Sequence, residues 1–288
     1  MLDEIRRVVI VGTGLLGASV GRGLKEAGFW GEVTGVVRRE STLEAAKAVG
    51  AVDFGGTDLA EQVPAEGKVI VVVAVPVSKF SEVFAAIAPL QREGVYVTDV
   101  GSTKLSVVAD AAKHLSQPNF FVPAHPMAGS EQSGPEAADG GLFRGRPCVL
   151  CPSEGTDGDA LAAVRGMWEM LGAELHTMSA NDHDRQVAAV SHLPHLVAVL
   201  LTHTANELGP LDLASSGFRD TSRLALSNPP MRQDIVMANL EPIGETLDHL
   251  AGRLNVLREM VRQGKGDELL KLLTEAQQVR QGWQDQCE

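Results

Sequence analysis

One segment of the chain combines a titratable imidazole with a restrained backbone. It begins at His125, ends at Glu131 and reads HPMAGSE. An unperturbed histidine has a pKa of about 6.5, so His125 suits general base catalysis near neutral pH. Pro126 restrains the backbone, Gly129 allows a close approach, and Glu131 is suited to gate or orient a site. We predict a catalytic base on a loop just beyond a strand; the alternative is a structural loop histidine.

A glycine-rich segment near the start of the chain predicts a dinucleotide site. It reads GTGLLG from Gly12 to Gly17, between an apolar strand and a helix, which is the context that the motif requires. Gly12 permits a tight turn, Gly14 lets the backbone approach a pyrophosphate, and Gly17 lets helix and strand pack closely. Leu15 and Leu16 open the helix, whose N-terminal amides favour phosphate. The alternative is a glycine-rich turn without a ligand.

The end of the second predicted strand bears on the choice of cofactor. An NAD site usually has an acidic residue there, bonded to the ribose 2′-hydroxyl. This chain has Arg38 and Arg39 instead, followed by Glu40 and Ser41. Two guanidinium groups suit a 2′-phosphate, so NADP is favoured over NAD as the cofactor. Alternatively, the arginines are only solvated, or Glu40 takes the role of the missing acid.

Two polar residues follow the end of a later strand, in the segment DVGSTK. In doubly wound sheets, ligands bind beyond the carboxyl ends of the strands. We therefore expect Ser102 and Lys104 to reach the substrate or the nicotinamide. The alternative for Ser102 is an N-cap of the next helix, and the two roles are compatible.

Three further histidines lie on the first long predicted helix. They are His183, His192 and His195, and the last two share a helix face within the segment SHLPH. A zinc site is disfavoured because the spacing is not that of HExxH and no third ligand is evident. Pro194 predicts a kink, which favours substrate contacts from this helix at a cleft. The alternative is that these histidines are bonded in the core.

The segment FRDTSR provides local cations in an acidic protein. It contains Arg219 and Arg223, and an arginine held in place binds a carboxylate in bidentate fashion. We predict a contact with an anionic substrate. The alternative is a local ion pair between Arg219 and Asp220.

The predicted elements change in type along the chain. Before residue 178, strands alternate with helices, which predicts an α/β fold with a Rossmann-type, doubly wound, mainly parallel sheet. The strands are expected at 8–11, 33–37, 68–75, 95–100 and 120–124, and the helices at 18–27, 43–49 and 80–90. Later segments at 187–208, 231–262 and 267–283 have helical periodicity. We predict a dinucleotide domain at 1–178 and an all-α domain at 179–288, whose apolar helices suggest a homodimer.

Composition narrows the classes of protein and the partners. The chain has 288 residues, 44% hydrophobic residues and a net charge of −12. Nucleic acids and anionic membranes attract basic proteins, so neither is expected as a partner. No apolar run approaches the ~20 residues of a membrane span, and no signal peptide is evident. Cys148 and Cys151 form a lone CxxC in a strand-like run, which favours buried thiols over a metal site. A reduced, cytoplasmic protein is expected.

Seven segments together carry a resemblance to a known family. They read GTGLLGAS, DVGSTK, HPMAGSE, GLFRG, NDHD, SHLPH and FRDTSR, in this order. The chain resembles the prephenate and arogenate dehydrogenases of tyrosine biosynthesis over nearly its whole length. The resemblance implies a helical dimerisation domain and the NAD(P)-dependent oxidative decarboxylation of prephenate to 4-hydroxyphenylpyruvate. The alternative substrate is arogenate, which yields tyrosine.

The resemblance also implies roles for individual residues. His125 would bond the ring 4-hydroxyl and assist its deprotonation, and Ser102 would bond the same hydroxyl or His125. Arg223 would bind the substrate carboxylate, and Glu131 would sit at the mouth of the pocket. His195 would line that pocket, and His183 corresponds to a further pocket position.

One departure from the family pattern concerns the pocket wall. Members that prefer prephenate often carry a tryptophan shortly after the proline that follows the arginine segment, where this chain has Arg232. Arg232, in its own or the partner subunit, would contact the side-chain carboxylate that both substrates carry. The choice between the keto and the amino substrate stays open. A more remote alternative is another NADP-dependent oxidoreductase, of the β-hydroxyacid kind.

Overall fold

A computed structural model of the chain describes residues 2–129 and 132–285. The chain forms two compact units, which comprise residues 1–240 and 241–288. All strands of the described residues belong to the larger unit. All predicted site residues also have positions within its range.

The main sheet has six strands. They are β1 (Ile5–Val11), β2 (Glu32–Val36), β3 (Phe54–Gly56), β4 (Lys68–Val73), β5 (Val95–Asp99) and β6 (Phe121–Val122). Their order is β3-β2-β1-β4-β5-β6, and all neighbours are parallel. This is the strand order of a doubly wound dinucleotide fold and confirms the predicted fold class.

Helices cover both faces of this sheet. They are α1 (Leu15–Glu26), α2 (Glu40–Ala48), α3 (Leu59–Gln62), α4 (Phe80–Ile87), α5 (Leu105–His114) and α6 (Gly158–Met170). Along β1, Val8 and Ile10 belong to one buried core, whereas Val9 and Val11 belong to a second. Successive side chains of a strand point to opposite faces, so each face of the sheet has its own core.

A second sheet begins where the chain leaves the first. It contains β7 (Ala124–Pro126), β8 (Pro147–Leu150) and β9 (Glu174–Thr177), with β7 antiparallel and β9 parallel to β8. The single strand predicted at 120–124 is therefore wrong, because Pro123 separates β6 from β7. Proline has no amide hydrogen for a ladder bond. His125 consequently lies within a strand and not on the predicted loop.

The described residues after β9 contain helices and no strands. The helices are α7 (Ala180–Val187), α8 (Leu193–Leu208), α9 (Ser216–Ser222), α10 (Pro229–Ala238), α11 (Leu240–Arg262) and α12 (Gly266–Asp285). A π-helical turn at Ala188–His192 joins α7 to α8, and Pro194 is the second residue of α8. The long helix predicted at 231–262 is divided at Asn239, whose backbone leaves the helical region.

The segment Ala180–Leu208 is long and apolar enough to cross a membrane by length and composition, with a hydropathy of 1.3. A core helix of a soluble protein meets the same criteria of length and composition. His183 and Asp184 lie in this segment, and both side chains are buried and hydrogen-bonded within the protein.

The smaller unit consists of α12 and all of α11 except Leu240. Several of its large apolar side chains are exposed: Leu254, Val256, Val261, Leu270, Leu273, Val279 and Trp283. Exposed apolar faces of this kind are typical of a surface that another subunit covers.

Candidate active site

The glycine segment after β1 has the geometry of a phosphate cradle. Gly12 has φ +96°, and a Cβ there would lie 2.7 Å from the Ala74 carbonyl oxygen. A Cβ on Gly17 would lie 2.1 Å from the Gly12 carbonyl oxygen, so neither position accommodates a side chain. Gly14, the N-cap of α1, faces open space and offers no side-chain cap.

This open space lies where the first amides of α1 need partners. Leu15 and Leu16 begin the helix, and the first four amides of any α-helix have no partner within it. A pyrophosphate satisfies such amides and is attracted by the helix dipole. The residues present therefore fit a dinucleotide.

The predicted selectivity residues lie between β2 and α2. Arg38 and Arg39 are both exposed, and Ser41 is exposed in the first turn of α2. Neither arginine forms an ion pair with any residue that the structure describes. The next residue, Glu40, is exposed as well. Both guanidinium groups are thus available for a phosphate.

A buried ion pair lies beneath the carboxyl end of β5. The Lys104 ammonium donates to the Asp99 carboxylate and to the Ala124 carbonyl oxygen, the latter at 2.7 Å. Asp99 also accepts the amides of Ala124 (2.9 Å) and Gly101 (2.8 Å). Both charged side chains are 0% exposed. Burial raises the pKa of the Asp99 carboxyl, and Lys104 and the two amides oppose that rise.

This ion pair corrects one prediction. Lys104 was expected to reach the substrate or the nicotinamide, but its ammonium is enclosed and bonded to Asp99 and Ala124. A buried lysine is tolerated because it is paired and hydrogen-bonded. The pair holds both polar backbone groups of Ala124, the residue before His125, and so fixes the strand that carries the predicted base.

His125 begins a chain of buried polar groups. Its Nδ1 lies 2.8 Å from Nε2 of His183, and Nδ1 of His183 lies 2.7 Å from the Asp184 carboxylate. Burial, and then the nearby His183, Lys104 and His192, hold the pKa of His125 well below its ordinary value. His125 is therefore neutral at pH 7, with its Nε2 lacking a partner among the residues described.

The same contacts correct the prediction for His183. It was expected at a further position of the substrate pocket, but it is 0% exposed and both ring nitrogens are bonded to protein. No ring nitrogen is left for a substrate. His183 instead connects α7 to the ring of His125.

Asp184 and Asn239 join the helices to this centre. Asp184 accepts the backbone amides of Lys104 (2.7 Å) and Leu105 (2.9 Å), at the start of α5. The Asn239 side chain donates to the Asp184 carbonyl oxygen (2.9 Å) and lies 3.1 Å from His192 Nδ1. Burial lowers the pKa of His192 to about 4. His192 is thus a neutral core histidine, as the alternative interpretation held.

A group of cationic and imidazole side chains lies on the later helices. Nδ1 of His195 is 3.2 Å from the Leu224 carbonyl oxygen. Burial lowers the pKa of His195, and the nearby Arg232 and Arg223 lower it further. Arg219, in contrast, is exposed and paired with Asp220 at 3.1 Å.

The two arginines near His195 differ in burial. Arg223 is exposed, whereas Arg232 is half-buried and its Nε is enclosed without a hydrogen-bond partner among the described residues. Burial lowers the pKa of Arg232. No carboxylate in residues 2–129 or 132–285 pairs with either cation. Both are therefore available to an anionic ligand.

Ser102 is half-buried in the turn after β5, and its hydroxyl bonds to none of the residues described. It does not cap α5, because the N-cap position is Lys104. Glu131 lies outside the described residues.

Sequence reasoning missed Asp99, Asp184 and Asn239 as parts of this centre. Asp184 follows His183 directly, and an acid beside a histidine on a helix was an available signal. Its other partners at the start of α5 are about 80 residues away along the chain, and nothing local indicates them.

Two family models match consecutive parts of the chain. The first, described as prephenate dehydrogenase, nucleotide-binding domain, matches residues 20–177. The second, described as prephenate dehydrogenase, dimerization domain, matches residues 179–275.

Similar proteins include a cyclohexadienyl dehydrogenase of Zymomonas mobilis. It is 34% identical over 97% of this chain and 96% of its own. A prephenate dehydrogenase structure from Aquifex aeolicus, in complex with hydroxyphenyl propionate and NAD⁺, has a TM-score of 0.90 and 31% identity, covering 96% of this chain and 98% of that one. Synechocystis arogenate dehydrogenase has a TM-score of 0.82 and 31% identity, covering 96% and 99%. The chain belongs to the prephenate dehydrogenase family.

Proposed function

We propose that this enzyme catalyses the oxidative decarboxylation of prephenate to 4-hydroxyphenylpyruvate, with NADP⁺ favoured over NAD⁺ as oxidant. The observation that carries the proposal is the buried ring of His125, which lies just beyond the carboxyl end of β6 in a dinucleotide-binding sheet and is held by His183. Arogenate is the second candidate substrate. Similarity to Synechocystis arogenate dehydrogenase supports it, because the two chains match over nearly their full lengths.

In this mechanism His125 is the general base. Its Nε2 accepts the proton of the ring 4-hydroxyl, and the half-buried Ser102 hydroxyl orients that group or the ring of His125. A base within hydrogen-bond reach of the proton it removes typically accelerates such a step by about 10²–10⁴-fold. The low pKa of His125 keeps the ring unprotonated at neutral pH and ready to accept a proton.

The electrons and atoms balance in a single turnover. The hydroxyl proton leaves to His125 as the C4 hydrogen leaves with its electron pair. Bound nicotinamide supplies the acceptor for that pair. The bond between the ring and its carboxylate then breaks, carbon dioxide departs, and its electrons make the ring aromatic. The proton on His125 returns to the phenolate oxygen, so the protein is unchanged.

The arginines on the helices anchor the substrate. Arg223 binds one carboxylate, and Arg232 binds the side-chain carboxylate that prephenate and arogenate share. His195 is proposed to line the wall between them, and its pKa is lowered by burial and by the nearby Arg232 and Arg223. Glu131 is proposed at the mouth of the pocket. This arrangement places cations where a net charge of −12 would otherwise repel an anion.

The cofactor site extends from the glycine segment to α2. Gly12, Gly14 and Gly17 form the cradle, and the amides of Leu15 and Leu16 would donate hydrogen bonds to the pyrophosphate. Arg38, Arg39 and Ser41 are proposed to bind the ribose 2′-phosphate of NADP. The exposure of all three residues supports this assignment, as does the lack of an ion pair between either arginine and any described residue.

The remaining organisation is also proposed. The nucleotide domain is placed at 1–178 and the helical domain at 179–288, with a cytoplasmic homodimer formed by the latter. The dimerization-domain match and the exposed apolar residues of α11 and α12 support the dimer.

One assay tests the function. Purified enzyme is given prephenate or arogenate, each with NAD⁺ or NADP⁺, and reduced nicotinamide is followed by absorbance. We expect the largest kcat/KM with prephenate and NADP⁺. No reduction in any of the four mixtures would refute the proposed function, and a larger value with arogenate would select the second candidate.

A further inference from the structure

We propose that Asp184 and His183 are positioning residues that hold the proton of neutral His125 on Nδ1, so that Nε2 is the basic nitrogen. Their importance for catalysis rests on the proposed function, but the position of the proton is a property of the protein alone. The inference rests on a series of hydrogen-bond contacts that runs from the start of α5, through Asp184 and His183, to the ring of His125.

Asp184 determines which group donates in each hydrogen bond of this series. Its carboxylate faces three groups: the amides of Lys104 and Leu105, and Nδ1 of His183. Both amides are obligate donors, and an ionised carboxylate only accepts. The start of α5 also favours a negative charge at this point. His183 must therefore donate to Asp184 from Nδ1.

The direction then passes through His183 to the base. A neutral imidazole has one protonated and one unprotonated ring nitrogen, so Nε2 of His183 accepts. The neighbouring Nδ1 of His125, at 2.8 Å, must be the donor in that contact. Neutral His125 is consequently protonated on Nδ1 and carries its lone pair on Nε2.

The same series of contacts also supplies a negative charge that balances protonated His125. When His125 accepts a proton, its ring becomes a buried cation. Asp99 is already paired with Lys104, so Asp184 is the acid whose charge is left to balance the imidazolium through His183. A neighbouring carboxylate stabilises an imidazolium in the same way when it supports a catalytic histidine.

Several titratable groups face His125 and bear on its pH dependence. Lys104 approaches from the turn before α5, His183 from α7, His192 from the π-helical turn and Cys148 from β8. In the variant Asp184→Asn, described below, none of these four groups is changed. A shift of its pH profile is therefore attributable to Asp184.

The first experiment measures the proton directly. Nitrogen-15 NMR of imidazole-labelled wild-type protein, with the His125 signals assigned by their loss in His125→Asn, distinguishes protonated from unprotonated ring nitrogens. We expect Nδ1 to be protonated and Nε2 to be unprotonated at pH 7. The opposite tautomer would overturn the proposal, whatever the substrate proves to be.

The second experiment removes the charge at α7. Asp184→Asn makes one of the two acceptor oxygens a donor and leaves the imidazolium without its counter-charge. We expect kcat to fall about 10²–10³-fold with KM changed less than about threefold. The acid limb of kcat/KM should move to lower pH, which a purely structural role would not produce. Asp182→Asn, an exposed acid on the same helix, is the matched control and should behave like wild type.

A pair of substitutions at His183 covers the case in which Asp184→Asn fails to fold. The glutamine amide of His183→Gln occupies the position of Nε2 and can still accept from His125, whereas His183→Asn is too short. We expect His183→Gln to retain at least about tenfold more kcat than His183→Asn. Equal activities, or wild-type kcat and pH profile in Asp184→Asn, would refute the positioning role. Failure of the proposed function would instead leave the NMR result intact.

Discussion

The buried centre around His125 and the cationic group on the later helices treat polar atoms in opposite ways. In the centre, Asp99, Lys104, His183 and Asp184 are 0% exposed, and their charges and hydrogen bonds are matched inside the protein. On the helices, Arg223 is exposed, and Arg232 has an enclosed Nε with no partner among the described residues. In the first region the polar groups are paired without a ligand. In the second, an anionic ligand would supply the partner of the cations.

This difference separates two tasks. A base must have the right tautomer and position in every turnover, and buried hydrogen bonds fix both. A binding group must release its product. A cation that is not paired with a carboxylate of the protein has no internal group that competes with the substrate. Substitutions in the two regions should therefore affect different kinetic parameters.

The largest expected effect comes from the base itself. His125→Asn removes the nitrogen proposed to accept the hydroxyl proton, and kcat should fall about 10²–10⁴-fold. Steady-state kinetics with the preferred substrate measure the loss. His176→Asn, at an exposed position on β9, should retain wild-type kcat. An unchanged kcat in His125→Asn would remove this residue from the role of base.

The next effect concerns stability. Lys104→Met leaves the buried Asp99 carboxylate without its cation, and breaking such a pair costs about 3–5 kcal/mol of unfolding free energy. Denaturant unfolding of this variant and of the exposed control Lys113→Met measures the difference. The double variant Asp99→Leu/Lys104→Met should be destabilised less than the single variant, because no buried charge remains unpaired. Equal stability of all three proteins would contradict the matched-charge description.

Smaller effects are expected on the helices, and in KM. Arg223→Ala and Arg232→Ala should each raise the KM for substrate about 10-fold, with kcat changed much less, because each removes one charged contact to a carboxylate. Initial-rate measurements over a range of substrate concentrations separate the two parameters. If KM is unaltered in these variants but rises in Arg219→Ala, the anchor lies at Arg219.

The smallest effect is expected at the exposed end of the cofactor site. Arg38→Ala and Arg39→Ala should each raise the KM for NADP⁺ about 3–10-fold and leave that for NAD⁺ unchanged, because surface charges are screened by water and salt. Kinetics with both cofactors at low ionic strength test the pair. An equal change for both cofactors would refute the 2′-phosphate assignment.

Local signals in the sequence predicted most of the elements of the main sheet. The valine-rich runs of β1 and β4 indicated buried parallel strands, and the glycine segment indicated the turn between β1 and α1. The short strand β3 was missed because its three residues, FGG, have little strand propensity. Pro123 divides a predicted strand, because the residues before it pair in the main sheet and those after it pair in the second sheet. The local sequence does not show that the two sides join different sheets.

The candidate site was predictable only in part. His125, Ser102 and the arginines stood out by residue type and motif. The internal partners of His183 and Lys104 did not, because contacts such as those of Asp184 with α5 connect residues far apart in the chain. Polar residues at the end of a strand resemble ligand contacts in sequence, and burial alone distinguishes a structural lysine from one that meets a substrate.

Ala124 stands at the joint between two sheets, immediately after the proline that ends β6. Its amide donates to Asp99 and its carbonyl oxygen accepts from Lys104, so both backbone polar groups of this residue are hydrogen-bonded to the same buried ion pair. A joint tied in this way cannot serve as a hinge. Any opening that admits a substrate must therefore bend the molecule at a residue other than Ala124.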